Sequence, residues 1–74
     1  MTISDYAFGL RNEYRYTVTD PDGMQWSAHA TYVNGKKGYA VMLDDEDTSL
    51  DLLTTNEEEA AHYMASISDK WERE

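Results

Sequence analysis

The residues with the greatest potential for chemistry are carboxylates: Asp44, Asp45, Glu46 and Asp47 in one run, Asp51 shortly after, and Glu57, Glu58 and Glu59 in a second run. Such a density suits either a hard cation or a basic partner. A calcium loop of the helix-loop-helix kind needs acids at alternate positions, a glycine at the sixth and a glutamate at the twelfth. Counted from Asp44, the sixth position is Ser49 and the twelfth is Thr55. The spacing is wrong for such a loop, and no metal or other cofactor is expected. A basic partner fits better. Duplex DNA carries one charge per roughly 1.7 Å of its axis, and eight carboxylates in the sixteen residues from Asp44 to Glu59 imitate such a density on one side of a small domain.

Other reactive side chains lack companions. His29 and His62 are the only imidazoles, each expected on the polar side of its element with no partner for proton transfer. The serines at 4, 27, 49, 66 and 68 lie in no G-x-S-x-G setting, and the glycines at 9, 23, 35 and 38 build no phosphate loop. With no cysteine, thiolate catalysis, thiolate metal sites and disulfides are excluded. These observations point to a protein that is not an enzyme.

The chain has 74 residues and a formal charge of −9, with 15 Asp plus Glu against 6 Lys plus Arg. That balance argues against direct binding to nucleic acid or to an anionic membrane, which calls for a basic patch. No apolar run approaches the roughly 18 residues of a membrane span, and Met1 to Leu10 lacks the pattern of a signal peptide, so a cytoplasmic protein is expected. The charge is also confined. Met1 to Lys37 holds four acids and four bases, and Lys70 to Glu74 holds two of each. Gly38 to Asp69 holds nine acids and neither Lys nor Arg, so the whole excess lies there.

The elements that must position these acids follow from periodicity. Glu13 to Thr19 alternates with period two, which predicts a strand. Asp20-Pro21-Asp22-Gly23 predicts a reversal, and Met24 to Val33 predicts a second strand with Met24, Trp26, Ala28, Ala30 and Tyr32 on one face. Asn34-Gly35 predicts a type I′ hairpin into a third strand, Tyr39 to Leu43. Thr48 to Leu53 reads as a short fourth strand with Leu50 and Leu52 inward and Asp51 outward. Thr55-Asn56-Glu57-Glu58 matches a capping box, so a helix starts there, with Glu57 to Glu59 favoured by its positive end. Ala60, Met64, Ile67 and Trp71, with Tyr63 alongside, form its apolar stripe, and Lys70 and Arg73 sit near its far end. Ser4 caps a short N-terminal helix, or else the first ten residues add an edge strand.

The expected fold is a single α+β domain over residues 1–74: an antiparallel meander of three or four strands packed by one C-terminal helix. Six Tyr and two Trp exceed what a one-sided core needs, so some aromatics should be exposed beside the acids, as in protein interfaces. Monomer and homodimer are both compatible with an open sheet face.

A three-stranded sheet followed by a helix opening T-N-E-E-E-A-A resembles in shape the small DNA-binding domains at the start of tyrosine recombinases, without their basic sheet. In size, absence of cysteine, compact α+β form and one-sided acidity, the chain is similar to the small phage-encoded inhibitors called anti-CRISPR proteins. That resemblance implies a phage protein acting in a host cytoplasm, with a Cas effector subunit as partner and its basic nucleic-acid groove as target. The site residues, Asp44, Asp45, Glu46, Asp47, Asp51, Glu57, Glu58 and Glu59, are nominated from the charge count alone. The alternative is a small accessory domain of a salt-adapted cytoplasm, whose acidity serves solubility; the balanced first half argues against it.

Overall fold

The computed structural model describes residues 2–43 and 49–74. In chain order the elements are α1 (Ile3–Arg11), β1 (Tyr16–Thr19), β2 (Gln25–Val33), β3 (Lys36–Leu43), β4 (Ser49–Thr54), α2 (Glu57–Ile67) and β5 (Glu72–Arg73). The strands form one antiparallel sheet in the order β4-β3-β2-β1-β5, and α1 and α2 pack together on one face of it. This is an α+β fold with a helix near each end of the chain.

The short N-terminal helix forms, but Thr2 caps it rather than Ser4. The Thr2 hydroxyl accepts from the Asp5 amide at 3.2 Å and the Asp5 carboxylate accepts from the Thr2 amide at 2.9 Å. A capping box beginning two residues earlier outweighs the cost of Gly9 in the helix interior. Glu13 then takes a φ of 65°, a left-handed conformation incompatible with an extended strand, so β1 starts at Tyr16 instead of Glu13. The two predicted reversals form. Asp20 accepts from the amides of Asp22 and Met24, and Asn34 and Gly35 both have positive φ between β2 and β3, as a type I′ turn requires.

The cap of α2 shifts by one residue. Asn56, not Thr55, is the N-cap, and its Oδ1 accepts from the amides of Glu58 at 2.9 Å and Glu59 at 3.4 Å. The helix also ends earlier than its apolar stripe suggests. Ser68 is extended, so Trp71 reaches the core from the following segment and not from the helix. Its indole Nε1 donates to the Met64 carbonyl at 2.8 Å, a second donor to an oxygen that also accepts from the Ser68 amide at 3.1 Å. Breaking the helix there frees Glu72 and Arg73 to pair with β1 as a fifth strand, which the apolar pattern does not reveal.

The core lies between the helices and the sheet. Tyr6, Ala7 and Leu10 of α1, Ala60, Ala61 and Met64 of α2, and Tyr16, Ala28, Tyr39, Val41 and Trp71 are buried together. The face of β2 and β3 that carries Ala28, Tyr39 and Val41 turns to the core, while Tyr32, of the same parity in β2, is 72% exposed near the β2–β3 turn. Tyr6 and Tyr16 meet edge to face at 5.8 Å between ring centroids, a favoured aromatic geometry.

Candidate interaction surface

β4 is an edge of the sheet, and the chain leaves it directly into α2. A six-residue strand is about 20 Å long, so this β4–α2 side offers a strip that the base-free stretch of sequence supplies. Asp51 lies within the strip and Glu57, Glu58 and Glu59 lie in the first turn of α2. Asp44, Asp45, Glu46 and Asp47 fall outside the described residues. The strand ends they connect, Leu43 and Ser49, pair with each other.

The ladder between β3 and β4 is irregular. Val41 pairs with Leu52 and Met42 with Leu50, so Asp51 is the extra residue of a β-bulge. Asp51 accepts a hydrogen bond from the Tyr63 hydroxyl, on the helix side. That bond to a carboxylate, followed by burial, pushes the Tyr63 phenol above its ordinary pKa. The expectation that Leu50 and Leu52 both face inward is therefore corrected. A bulge shifts side-chain parity by one residue, so Leu52 packs against the core while Leu50 turns to the opposite face and is 52% exposed.

The three glutamates are not equivalent. Glu57 Oε1 lies 3.3 Å from Arg11 Nε, an ion pair joining the C-terminal end of α1 to the N-terminal end of α2. A cation near a helix C-terminus and an anion near an N-terminus are each favoured by the macrodipoles. Lys37 reinforces this corner through a hydrogen bond from Nζ to the Arg11 carbonyl. Glu58 and Glu59 make no ion pair among the described residues, while their amides bind Asn56. Part of the acid run is thus a structural clasp and part is an exposed field.

The groove between the helices is lined by Ile3, Ser4, Ala7, Arg11, Glu58 and His62, about 250 Å³ in volume. Ser, His and Glu in one groove invite a proton-relay reading, but among the described residues no hydrogen bond connects Ser4, His62 and Glu58. A second groove of about 380 Å³, bordered by Thr17, Thr19, Trp26, Lys70 and Glu72, lies toward the other edge. Trp26 there donates from Nε1 to Asp20 at 2.9 Å, and this bond is the leading cause holding the Asp20 carboxyl below its ordinary pKa. Among the described residues no three His, Asp or Glu side chains converge as a metal site would need, and no described helix is long and apolar enough to cross a membrane. No family model, no curated protein and no solved structure matches this chain.

The sheet face away from the helices carries side chains that the charge count did not single out. Across it run Thr17, Ser27, Met42 and Leu50 in one row and His29, Ala40 and Leu53 in the next. Leu53 is 44% exposed, and Leu50 is more so. Consecutive leucines at 52 and 53 were a signal available in the sequence, because a strand cannot turn both to one face. The exposed aromatics, by contrast, are dispersed. Phe8 lies on α1, Tyr32 is near the hairpin, and Tyr14 precedes β1 with the Arg73 guanidinium 4.4 Å from its ring centroid. None belongs to the β4–α2 strip, where the nearest aromatic is the half-buried Tyr63.

Proposed function

We propose that this chain is a non-enzymatic inhibitor that occupies the basic surface of a nucleic-acid-binding complex, a DNA mimic of anti-CRISPR type acting in the cytoplasm. The observation that carries the reading is the pairing of a base-free sequence from Gly38 to Asp69 with its location on one side of the fold, at β4 and the start of α2. Asp51, Glu58 and Glu59 contribute from that side, and Asp44, Asp45, Glu46 and Asp47 add their charge in the sequence between β3 and β4. Glu57 serves mainly the ion pair with Arg11. Lysines and arginines that normally neutralise phosphates would meet these carboxylates instead, giving fast association that weakens with salt.

The test is competition for a Cas effector complex between its labelled target DNA and this protein. The wild type is expected to displace DNA, less effectively as salt rises. Replacing Asp44, Asp45, Glu46 and Asp47 with Asn or Gln is expected to reduce displacement and flatten its salt dependence. Unchanged displacement with an unchanged salt slope would overturn the proposal.

A further inference from the structure

We infer that the gap at the outer edge of β1, where its pairing with β5 stops, is a binding site for the carboxyl terminus of an extended peptide. This goes beyond the acidic reading above and does not depend on it.

Two hydrogen bonds set the phase of this edge. The Asp20 amide donates to the Met24 carbonyl, and the Glu74 amide donates to the Arg15 carbonyl. Residues of an antiparallel strand turn their amide and carbonyl to alternate neighbours, so Tyr16 and Val18 face β2 with Asp20, while Thr17 and Thr19 face outward with Arg15. Thr17 meets Glu72 there. Thr19 pairs with no described residue on that side. Lys70 comes next in register, but its amide is turned to Ser68 Oγ at 3.0 Å and Trp71 is drawn into the core. The groove of about 380 Å³ bordered by Thr19, Trp26, Lys70 and Glu72 lies at this break in the ladder. The Thr19 amide and carbonyl are the unpaired donor and acceptor that a sheet edge offers to another strand.

The gap is closed at one end, because Trp71 runs directly into Glu72, which holds the place opposite Thr17. A strand laid beside Thr19 must therefore stop there, so the occupant is a chain end. Every pair in this sheet is antiparallel. A guest in that orientation enters with its carboxyl terminus at the closed end, beside Lys70. The Lys70 side chain is exposed and makes no ion pair among the described residues, so its ammonium takes the terminal carboxylate in a charge-assisted bond. Strand addition and carboxylate capture are both recurrent modes of peptide recognition. Glu72 at the closed end disfavours an acidic last side chain, and Asp22 in the neighbouring turn favours Lys or Arg just upstream. The guest thus ends in a neutral residue preceded by basic ones.

The probes are acetyl-Lys-Ala-Leu with a free carboxylate and the same peptide as its carboxyl-terminal amide, each titrated at low salt while amide and indole chemical shifts of the protein are followed. The free acid is expected to shift the Thr19 and Lys70 amides and the Trp26 indole N–H. It should bind about tenfold more tightly than the amide form, the order expected of one charge-assisted hydrogen bond. Lys70→Gln should bring the two peptides close to parity and Lys70→Arg should keep the preference, both with urea midpoints near that of wild type. Thr19→Pro removes the outward N–H without touching the ladder to β2, a place where a strand tolerates proline, and should weaken both peptides. Equal affinity of wild type for acid and amide, or a preference undiminished in Lys70→Gln, overturns the inference. So do shifts that gather away from Thr19, Trp26 and Lys70, or binding of neither peptide. Each of these results leaves the competition with DNA by the acidic residues untouched.

Discussion

The Tyr63 hydroxyl on α2 donates to the Asp51 carboxylate at the bulge of β4, so one hydrogen bond joins the helix layer to the residue that disrupts the sheet edge. Asp51 is the unpaired residue of that bulge, and its carboxylate is engaged toward the helix. Leu50 accordingly takes the open-face position opposite Met42. The contact thus belongs at once to the packing of α2 and to the composition of the outer surface.

Tyr63→Phe keeps the ring and removes the donor. The expected loss is about 0.5–1.5 kcal/mol of unfolding free energy, the usual net value of one such bond, measured by urea denaturation at neutral pH. The phenol also reports the contact directly. Because its folded pKa is raised above the ordinary 10.0, the stabilisation is complete below pH 10 and is lost as pH rises through the folded value. In Asp51→Asn the phenol should titrate closer to 10.0, followed by the Tyr63 ring resonances. An ordinary Tyr63 titration in the wild type would refute this coupling.

Gly9→Ala should destabilise the protein although alanine is the better helix former by about 1 kcal/mol. A Cβ at position 9 would overlap the Tyr16 hydroxyl and lie 2.7 Å from Tyr16 Cζ, and Tyr16 is only 2% exposed. Overpacking of this sort costs about 1–3 kcal/mol, so displacement of Tyr16 outweighs the gain in propensity. The check is a urea midpoint lower than that of wild type. A higher midpoint would mean that Tyr16 moves freely.

Trp71 separates two contributions that one side chain makes. Trp71→Ala empties a site 3% exposed and should cost about 3–5 kcal/mol, enough to unfold much of a domain this small. Trp71→Phe retains most apolar contact but abolishes the indole bond to the Met64 carbonyl, which keeps the Ser68 amide as donor, for an expected loss of about 0.5–1.5 kcal/mol. Amide exchange should rise first in the last turn of α2 in the Phe variant. Exchange rising uniformly across the sheet instead would show that the hydrogen bond does not hold that helix end.

The central hairpin was legible because its signals are local: alternation in β2 and β3 and Asn34-Gly35 between them determine parity and reversal together. What was not legible depended on contacts between distant residues. The stripe Ala60, Met64, Ile67 and Trp71 has helical spacing, yet Trp71 is buried from beyond the helix, where its indole donates to the Met64 carbonyl. Parity in β4 was misread at Leu50 because nothing local marks Asp51 as a bulge; the reason, Tyr63, lies twelve residues away. Of the nominated acids, counting charge located the base-free region but could not distinguish Glu57, committed to Arg11, from its two neighbours.

His29 should make stability fall on mild acidification. Its imidazole sits on the open face beside Ala40, with Nδ1 buried and without a hydrogen-bond partner among the described residues. Burial is the main cause that lowers its pKa below the ordinary 6.5; the Arg15 charge acts in the same direction and the Glu74 charge opposes it. The unfolded chain therefore takes up a proton near pH 6.5 that the folded chain still refuses. Stability is then complete above that pH and is lost as pH falls through the lower folded value, with a slope of at most about 1.4 kcal/mol per pH unit for one proton. Asp5 and Asp20, both held below the ordinary 3.8 by hydrogen bonds, add a second loss at more acidic pH. Urea midpoints across this range should show both phases in the wild type, and His29→Gln should abolish the first while leaving the second. A wild-type midpoint that stays level just below pH 6.5, or a His29→Gln variant that still declines there, would show that the imidazole is accessible and titrates normally.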